Sequence, residues 1–252
     1  MFRPRVIPVL LLKDNILVKS TKFKKYRYIG DPINAVKVFN DLKADELTFL
    51  DISATIEKRI IPLELVEKVG EEANMPFSVG GGITKLKEIQ YIIAKGAEKV
   101  ILNTSAISNP DFIKESSDNF GTSTITVCID VKKRFFGKEV VWTHGGKKAT
   151  NLSPIDCAMM LEDKGAGEII IQSIDRDGQM NGYDVELIRN VSTSVSIPVV
   201  ALGGAGKIED LIEGYKKAHA SALAAGSMFV YQGPKKGVLI NYLEKDSLSL
   251  FK

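Results

Sequence analysis

Asp130 closes an apolar run, Ser123 to Val131, of the kind that forms a buried strand, and a carboxyl group held at such a strand end can work as a general acid or base if burial raises its pKa. Asp177 ends a second such region, in the segment Asp175-Arg176-Asp177-Gly178, and is the other candidate acid or base. For Asp51 and Asp175, capping of the following turn is an equally good reading. Two glycine-rich segments flank these carboxylates in sequence: Gly80-Gly81-Gly82-Ile83 before a helical pattern, and Gly203-Gly204-Ala205-Gly206 before another. Backbone amides in such loops can approach an anion closely, and a helix N-terminus would add its positive end. Asn103-Thr104 follows the first segment and Gly226-Ser227 the second, each offering a polar turn, so the pattern points to two phosphate cradles. Lys19, within a basic stretch that also holds Lys22, Lys24, Lys25 and Arg27, and Gly178 complete the candidate ligand contacts. A basic loop beside two anion sites could fold over a phosphorylated ligand and exclude water.

The chain that must position these residues is written twice. Pro4 to Lys13 corresponds to Ser123 to Lys132, Pro76 to Gly82 to Pro198 to Gly204, and Asn103-Thr104 to Gly226-Ser227. A period of half the chain fits a duplicated half-domain, not a solenoid unit. The same alignment puts Leu11 opposite Asp130, so where the repeat would supply a pair of carboxylates there is one.

Each half holds four short apolar runs separated by helical patterns such as Lys85 to Lys95, with Leu86, Ile89, Ile92 and Ile93 on one face. The runs are mostly continuous, as in parallel strands buried on both sides. Eight strands alternating with helices predict an α/β fold, a (β/α)8 TIM barrel with an internal two-fold half-barrel repeat; a doubly wound sheet is the alternative. The expected organisation is one domain over residues 1–252, with half-barrels of about 1–120 and 121–252. Active sites of such barrels gather at the C-terminal ends of the strands, where both cradles and both carboxylates fall.

With 44% hydrophobic residues, the chain can bury one sizeable core. A net charge of +3 argues against nucleic acid as partner. Cys128 and Cys157 read as buried thiols, and His144 and His219 are too few for a histidine metal centre; neither metal nor cofactor is expected. No apolar run is long enough to span a membrane, no cleavable targeting segment is visible, and the cytoplasm is the expected location.

At the other end of the predicted barrel, Arg5, Glu46, Lys99 and Glu168 each stand at the start of an apolar run, so all four should gather on the N-terminal face. Two positive and two negative charges there form a neutral ring, and an ion-pair plug is the reading that physics alone prefers.

The motifs IPVLLLKDN, FLDISAT, PFSVGGGI, VILNTSAI, CIDVK, WTHGGKKAT, QSIDRDGQMNGYD, VVALGGAG and ALAAGS together resemble the cyclase subunit of imidazole glycerol phosphate synthase, in order along nearly the whole chain. The resemblance implies a glutaminase subunit with a cysteine nucleophile docked on the N-terminal barrel face. It also implies that the charged residues Arg5, Glu46, Lys99 and Glu168 gate ammonia into the core, and that a phosphorylated substrate sits at the mouth. The chain departs from that family where it carries Leu11 and Val9 in place of an aspartate and a cysteine, and Leu202 and Gln172 in place of a serine and a threonine. RPRVIPVLLLKDN, FKKYRYIGDPINAVKVFN and AAGSMFVYQGPKKGVLINY resemble the acetamidino-modification branch, associated with bacterial surface polysaccharide. That branch implies a third, ATP-dependent amidotransferase-like partner and a nucleotide-linked sugar as the phosphorylated ligand. The alternatives are a histidine-pathway cyclase using Asp130 and Asp177, and a non-catalytic ammonia-conducting adaptor.

Overall fold

The computed structural model describes residues 3–134 and 137–251. Eight parallel strands form its centre: β1 (Arg5–Lys13), β2 (Leu47–Asp51), β3 (Phe77–Gly80), β4 (Lys99–Leu102), β5 (Ile125–Lys133), β6 (Glu168–Ser173), β7 (Val199–Leu202) and β8 (Ala222–Ala225). Each pairs with its sequence neighbours, β8 pairs with β1, and the β5–β6 pairing, Thr126 beside Glu168 through Val131 beside Ser173, completes a closed ring. The sheet is therefore the expected (β/α)8 barrel. The doubly wound alternative has open edges, which this ring lacks.

Helices α1 (Pro32–Asp41), α2 (Leu63–Glu72), α3 (Leu86–Ala94), α4 (Thr104–Ser108), α5 (Asp111–Phe120), α6 (Pro154–Asp163), α7 (Val185–Ser192) and α8 (Ile208–Lys216) lie between the strands, and α9 (Ser227–Val230) and α10 (Lys245–Leu248) follow β8. The repeat is legible in how they start. Asp31 caps α1 ahead of Pro32, its side chain accepting from the Asn34 amide, and Ser153 caps α6 ahead of Pro154 in the same way from Asp156. None of the described helices is long and apolar enough to cross a membrane.

Alternation along each strand divides the apolar residues into two layers. Val6, Leu47, Phe77, Val100, Ile125, Ile169, Val199 and Leu223 face outward and pack against helix residues such as Phe39, Ile89, Ile92 and Leu211. Ile7, Val9, Leu11, Ile101, Cys128, Ile170, Val200, Leu202, Ala222 and Ala224 face inward and fill the barrel. Burial on both faces is the reason that the strands read as continuous apolar runs.

Two strands run past the rim and fold back. After the left-handed turn Asp14-Asn15, with φ of 53° and 63°, the hairpin Ile16–Thr21/Lys24–Gly30 pairs antiparallel with the end of β1, Leu11 beside Val18. In the second half, Glu139–Thr143 pairs antiparallel with the end of β5, Asp130 beside Trp142. The stretch that reads in sequence as a basic loop is thus a β-hairpin standing over the mouth.

Candidate active site at the barrel mouth

The C-terminal strand ends and their loops enclose a cavity of about 630 Å³. All twelve candidate mouth residues line it: Lys19, Gly81, Gly82, Asn103, Thr104, Asp130, Asp177, Gly178, Gly203, Gly204, Gly226 and Ser227. Its floor is apolar, built from Val9, Leu11, Leu50, Ile101 and Leu202. Leu11 stands beside Leu50 in the sheet, whereas its repeat counterpart Asp130 stands beside Gln172. The polar groups Asp130 and Gln172 thus enter the apolar floor from the second half only at this level.

Asp130 is buried, and burial pushes its carboxyl up from 3.8 to about 7, with the nearby Asp177 adding to the rise. Asn103 Nδ2 donates to Asp130 Oδ2 at 3.2 Å, and the Cys128 thiol lies 3.7 Å from Oδ1; both favour the ionised form but do not overcome desolvation. A carboxyl poised near 7 can give or take a proton at neutral pH. Burial, then Asp130, holds the Cys128 thiol well above its ordinary value, so that it stays protonated.

Asp177 is also buried but fully engaged. Its carboxylate accepts from Ser20 Oγ at 2.6 Å and from the Phe23 amide at 3.4 Å, and pairs with Lys19 Nζ at 3.3 Å, while its carbonyl accepts from the Lys22 amide. It fastens the hairpin to the loop after β6. Lys19, a candidate ligand contact within the basic stretch, is 6% exposed, because the hairpin turns it inward. A Cβ on Gly226 would meet the Lys19 ammonium at 2.8 Å, which puts that charge against the second cradle.

Asp51 takes the capping role, whereas Asp175 reaches across to the end of β5. Asp51 accepts from the Ser53 and Ala54 amides and pairs with Arg59, and Asp175 accepts from the Lys133 amide. The glycines are required by backbone approach: a Cβ on Gly82 would fall 1.8 Å from the Arg59 carbonyl oxygen, on Gly204 2.2 Å from that of Gly182, and on Gly178 2.4 Å from that of Ser20. Gly81 and Gly203, at φ of 135° and 94°, occupy conformations that side chains disfavour.

Part of each following helix start is already taken up within the chain. Glu88 accepts from the amides of Thr84 and Lys85, and Asp210 from those of Gly206 and Lys207, so the proteins' own carboxylates occupy the starts of α3 and α8. The polar turns after β4 and β8 face the cavity. Ser227 Oγ is buried without a hydrogen-bond partner among the described residues, an expensive state unless a ligand or water completes it.

At the opposite end, Arg5 bonds both Glu46 and Glu168, and Lys99 Nζ lies 3.0 Å from Glu168 and 3.7 Å from Glu46. The four alternate in sign around the axis. Burial raises the Glu46 carboxyl against the pull of Lys99 and Arg5. A second cavity, of about 310 Å³, opens here beside Arg5, Glu46 and Lys99.

Sequence reasoning missed Ser20 as a partner of Asp177 and Arg59 as a partner of Asp51. The Asp14-Asn15 pair before an apolar run was the signal for the hairpin that carries Ser20; nothing local signals Arg59.

The chain matches the model of the histidine biosynthesis protein family over residues 5–234. It is 42% identical over 251 residues to the imidazole glycerol phosphate synthase subunit HisF of Geobacillus kaustophilus, covering 99% of this chain and 100% of that one. It is 43% identical over 250 residues to a Pseudomonas aeruginosa protein provisionally named as the same synthase's subunit hisF2, with the same coverage, and 43% identical over 247 residues to a Leptospira interrogans protein provisionally named HisF, covering 98% and 97%. With its barrel closed, its mouth formed and full-length relatives at this identity, the chain belongs to the histidine biosynthesis protein family, among the HisF-like barrels.

Proposed function

We propose that this barrel takes up ammonia at the ring of Arg5, Glu46, Lys99 and Glu168, from a glutaminase that uses a cysteine nucleophile, and delivers it to the mouth for formation of an acetamidino group on a nucleotide-linked sugar of surface polysaccharide. A third, ATP-dependent partner activates the amide carbonyl, and ammonia displaces the activated oxygen. The observation that carries the reading is Leu11, buried in the floor at the place where the repeat calls for a carboxylate. A leucine cannot transfer a proton, and cyclisation chemistry needs an acid and a base at one site. Lys19, Gly226 and Ser227 support an anion at the second cradle, with Gly203 and Gly204 bringing backbone close; Gly81, Gly82, Asn103 and Thr104 are the counterpart.

A histidine-pathway cyclase is the second reading, favoured by the identity to the Geobacillus protein and by an Asp130 carboxyl near 7. It would require Asp177 to act as the partner acid or base, and Asp177 is held by Lys19 and Ser20.

The test supplies the purified barrel and its ATP-dependent partner with ATP, an acetamido nucleotide sugar and ammonium salts, and follows the amidine by mass spectrometry, with and without the partner. Product that requires the partner is expected. Conversion of the histidine-pathway intermediate to imidazole glycerol phosphate by the barrel overturns the proposal in favour of the second reading.

A further inference from the structure

We infer that Thr104 is a positioning residue for Asp130, its hydroxyl transmitting the orientation of the turn at His144 to the Asn103 amide. The inference rests on the reading that the Asp130 carboxyl works at the mouth, and adds how that carboxyl is aimed.

The direction of every bond in the chain of contacts is fixed by chemistry. The His144 backbone N–H can only donate, and it meets Thr104 Oγ1 at 3.0 Å. Thr104 therefore accepts there and turns its own O–H to Asn103 Oδ1, 3.1 Å away. The Cys128 carbonyl can only accept, and Asn103 Nδ2 lies 2.8 Å from it, so the amide cannot be flipped. The remaining Nδ2–H then points at Asp130 Oδ2, at 3.2 Å. The two Asp130 oxygens therefore have different neighbours, Oδ2 the Asn103 amide and Oδ1 the Cys128 thiol. The chain thus fixes how the carboxyl is turned in the mouth.

The anchor is unusual in its backbone. His144 is a non-glycine residue at φ 54°, followed by Gly145 and Gly146 at 63° and 73°, and such a turn persists when its surroundings hold it. The repeat counterpart has no such network: Gly226 replaces Asn103, and the Ser227 hydroxyl is unpartnered among the described residues. The two polar turns, alike in sequence, have separate duties. In the first half the hydroxyl holds the Asn103 side chain, so that a ligand in that cradle would meet chiefly the backbone of the turn; in the second the hydroxyl itself is available to a ligand.

The groups facing Asp130 are Cys128 on its own strand, Asn103 from the end of β4 and Asp177 from the loop after β6, the last of which carries Lys19 and Ser20. A hydrogen bond to the ionised carboxyl lowers its pKa, so loss of the Asn103 aim raises it. The test is a 13C NMR titration of the full chain labelled at the aspartate carboxyl carbons, with Asp130→Asn identifying the resonance. Thr104→Val should move the Asp130 midpoint upward by roughly half a unit to one unit, and Thr104→Ser should return it to the wild-type value. Thr104→Ala replaces valine in the test if valine prevents folding. A midpoint unchanged in the valine or alanine variant overturns the inference, as does a serine variant that fails to restore it. Amidine formation is measured separately, so failure of the proposed function leaves this titration to stand or fall on its own.

Discussion

Replacing Asp130 by asparagine should stabilise the protein, and should do so only above acidic pH. In the folded chain the carboxyl keeps its proton to about 7, against 3.8 for an unhindered aspartate. Below 3.8 both folded and unfolded chains hold the proton, and the group is neutral in the balance. As pH rises from there, the unfolded chain loses its proton first, so stability falls until the folded carboxyl has also ionised, a little above 7. At 1.36 kcal/mol per pH unit across that window, ionised Asp130 costs the fold on the order of 4 kcal/mol. Asparagine fits the same space, can still meet Cys128 and Asn103, and carries no charge at any pH. Urea unfolding of the wild type and Asp130→Asn, repeated between pH 4 and pH 8, measures the difference. The two should agree within about 1 kcal/mol near pH 4 and separate steadily in favour of the variant by pH 8. Parallel stability curves over the whole range would refute the reasoning, because they would mean that Asp130 ionises as readily folded as unfolded.

Because Leu11 removes one carboxylate, the gene should fail to complement a cyclase-deficient bacterial strain, with a loss on the order of 10²–10⁴ in imidazole glycerol phosphate formation; growth of the complemented strain would contradict it. A crystal grown in phosphate or sulfate should hold an anion against Ser227, Gly226 and Lys19, and Ser227→Ala with Lys19→Met should abolish it; an anion bound unchanged in that double variant rejects the second cradle. Lys99→Met leaves two largely buried carboxylates on Arg5 alone, and breaking buried pairs of this kind costs about 3–5 kcal/mol, so its urea midpoint should fall. In the complex with its glutaminase, the same variant should release ammonia to solvent and yield less aminated product per glutamine; unchanged coupling would reduce the ring to a plug.

The barrel was legible because its cause is local and repeated: apolar runs buried on both faces, alternating with helical patterns, written twice along the chain. The charged ring was legible for a similar reason, since four residues at strand starts must share a face. What the sequence hid were contacts set by the tertiary fold. Nothing beside Lys19 in the chain says that it turns inward to Asp177, 158 residues away. Nothing near the glycine-rich loops shows whether an amide faces an anion or a carboxylate such as Glu88 three or four residues on, although a Glu at the third helical position is a recognisable cap signal. The two turns related by the repeat differ in sequence by Asn103 against Gly226, but the arrival of His144 beside the first is set by the tertiary fold.

Inward-facing Ile7, Ile101, Ile170, Val200, Ala222 and Ala224 lie between the charged ring and the mouth, with the buried hydroxyls of Thr48, Ser78 and Thr126 among them. Moving an ion into such a medium is opposed by an idealised solvation cost of order 20 kcal/mol, whereas a small neutral molecule loses only its hydrogen bonds. On the proposed route, the barrel wall would discriminate by protonation state more sharply than by size. Any nitrogen donor that crossed would have to shed its proton at the ring, and so would reach the acceptor already in its nucleophilic form.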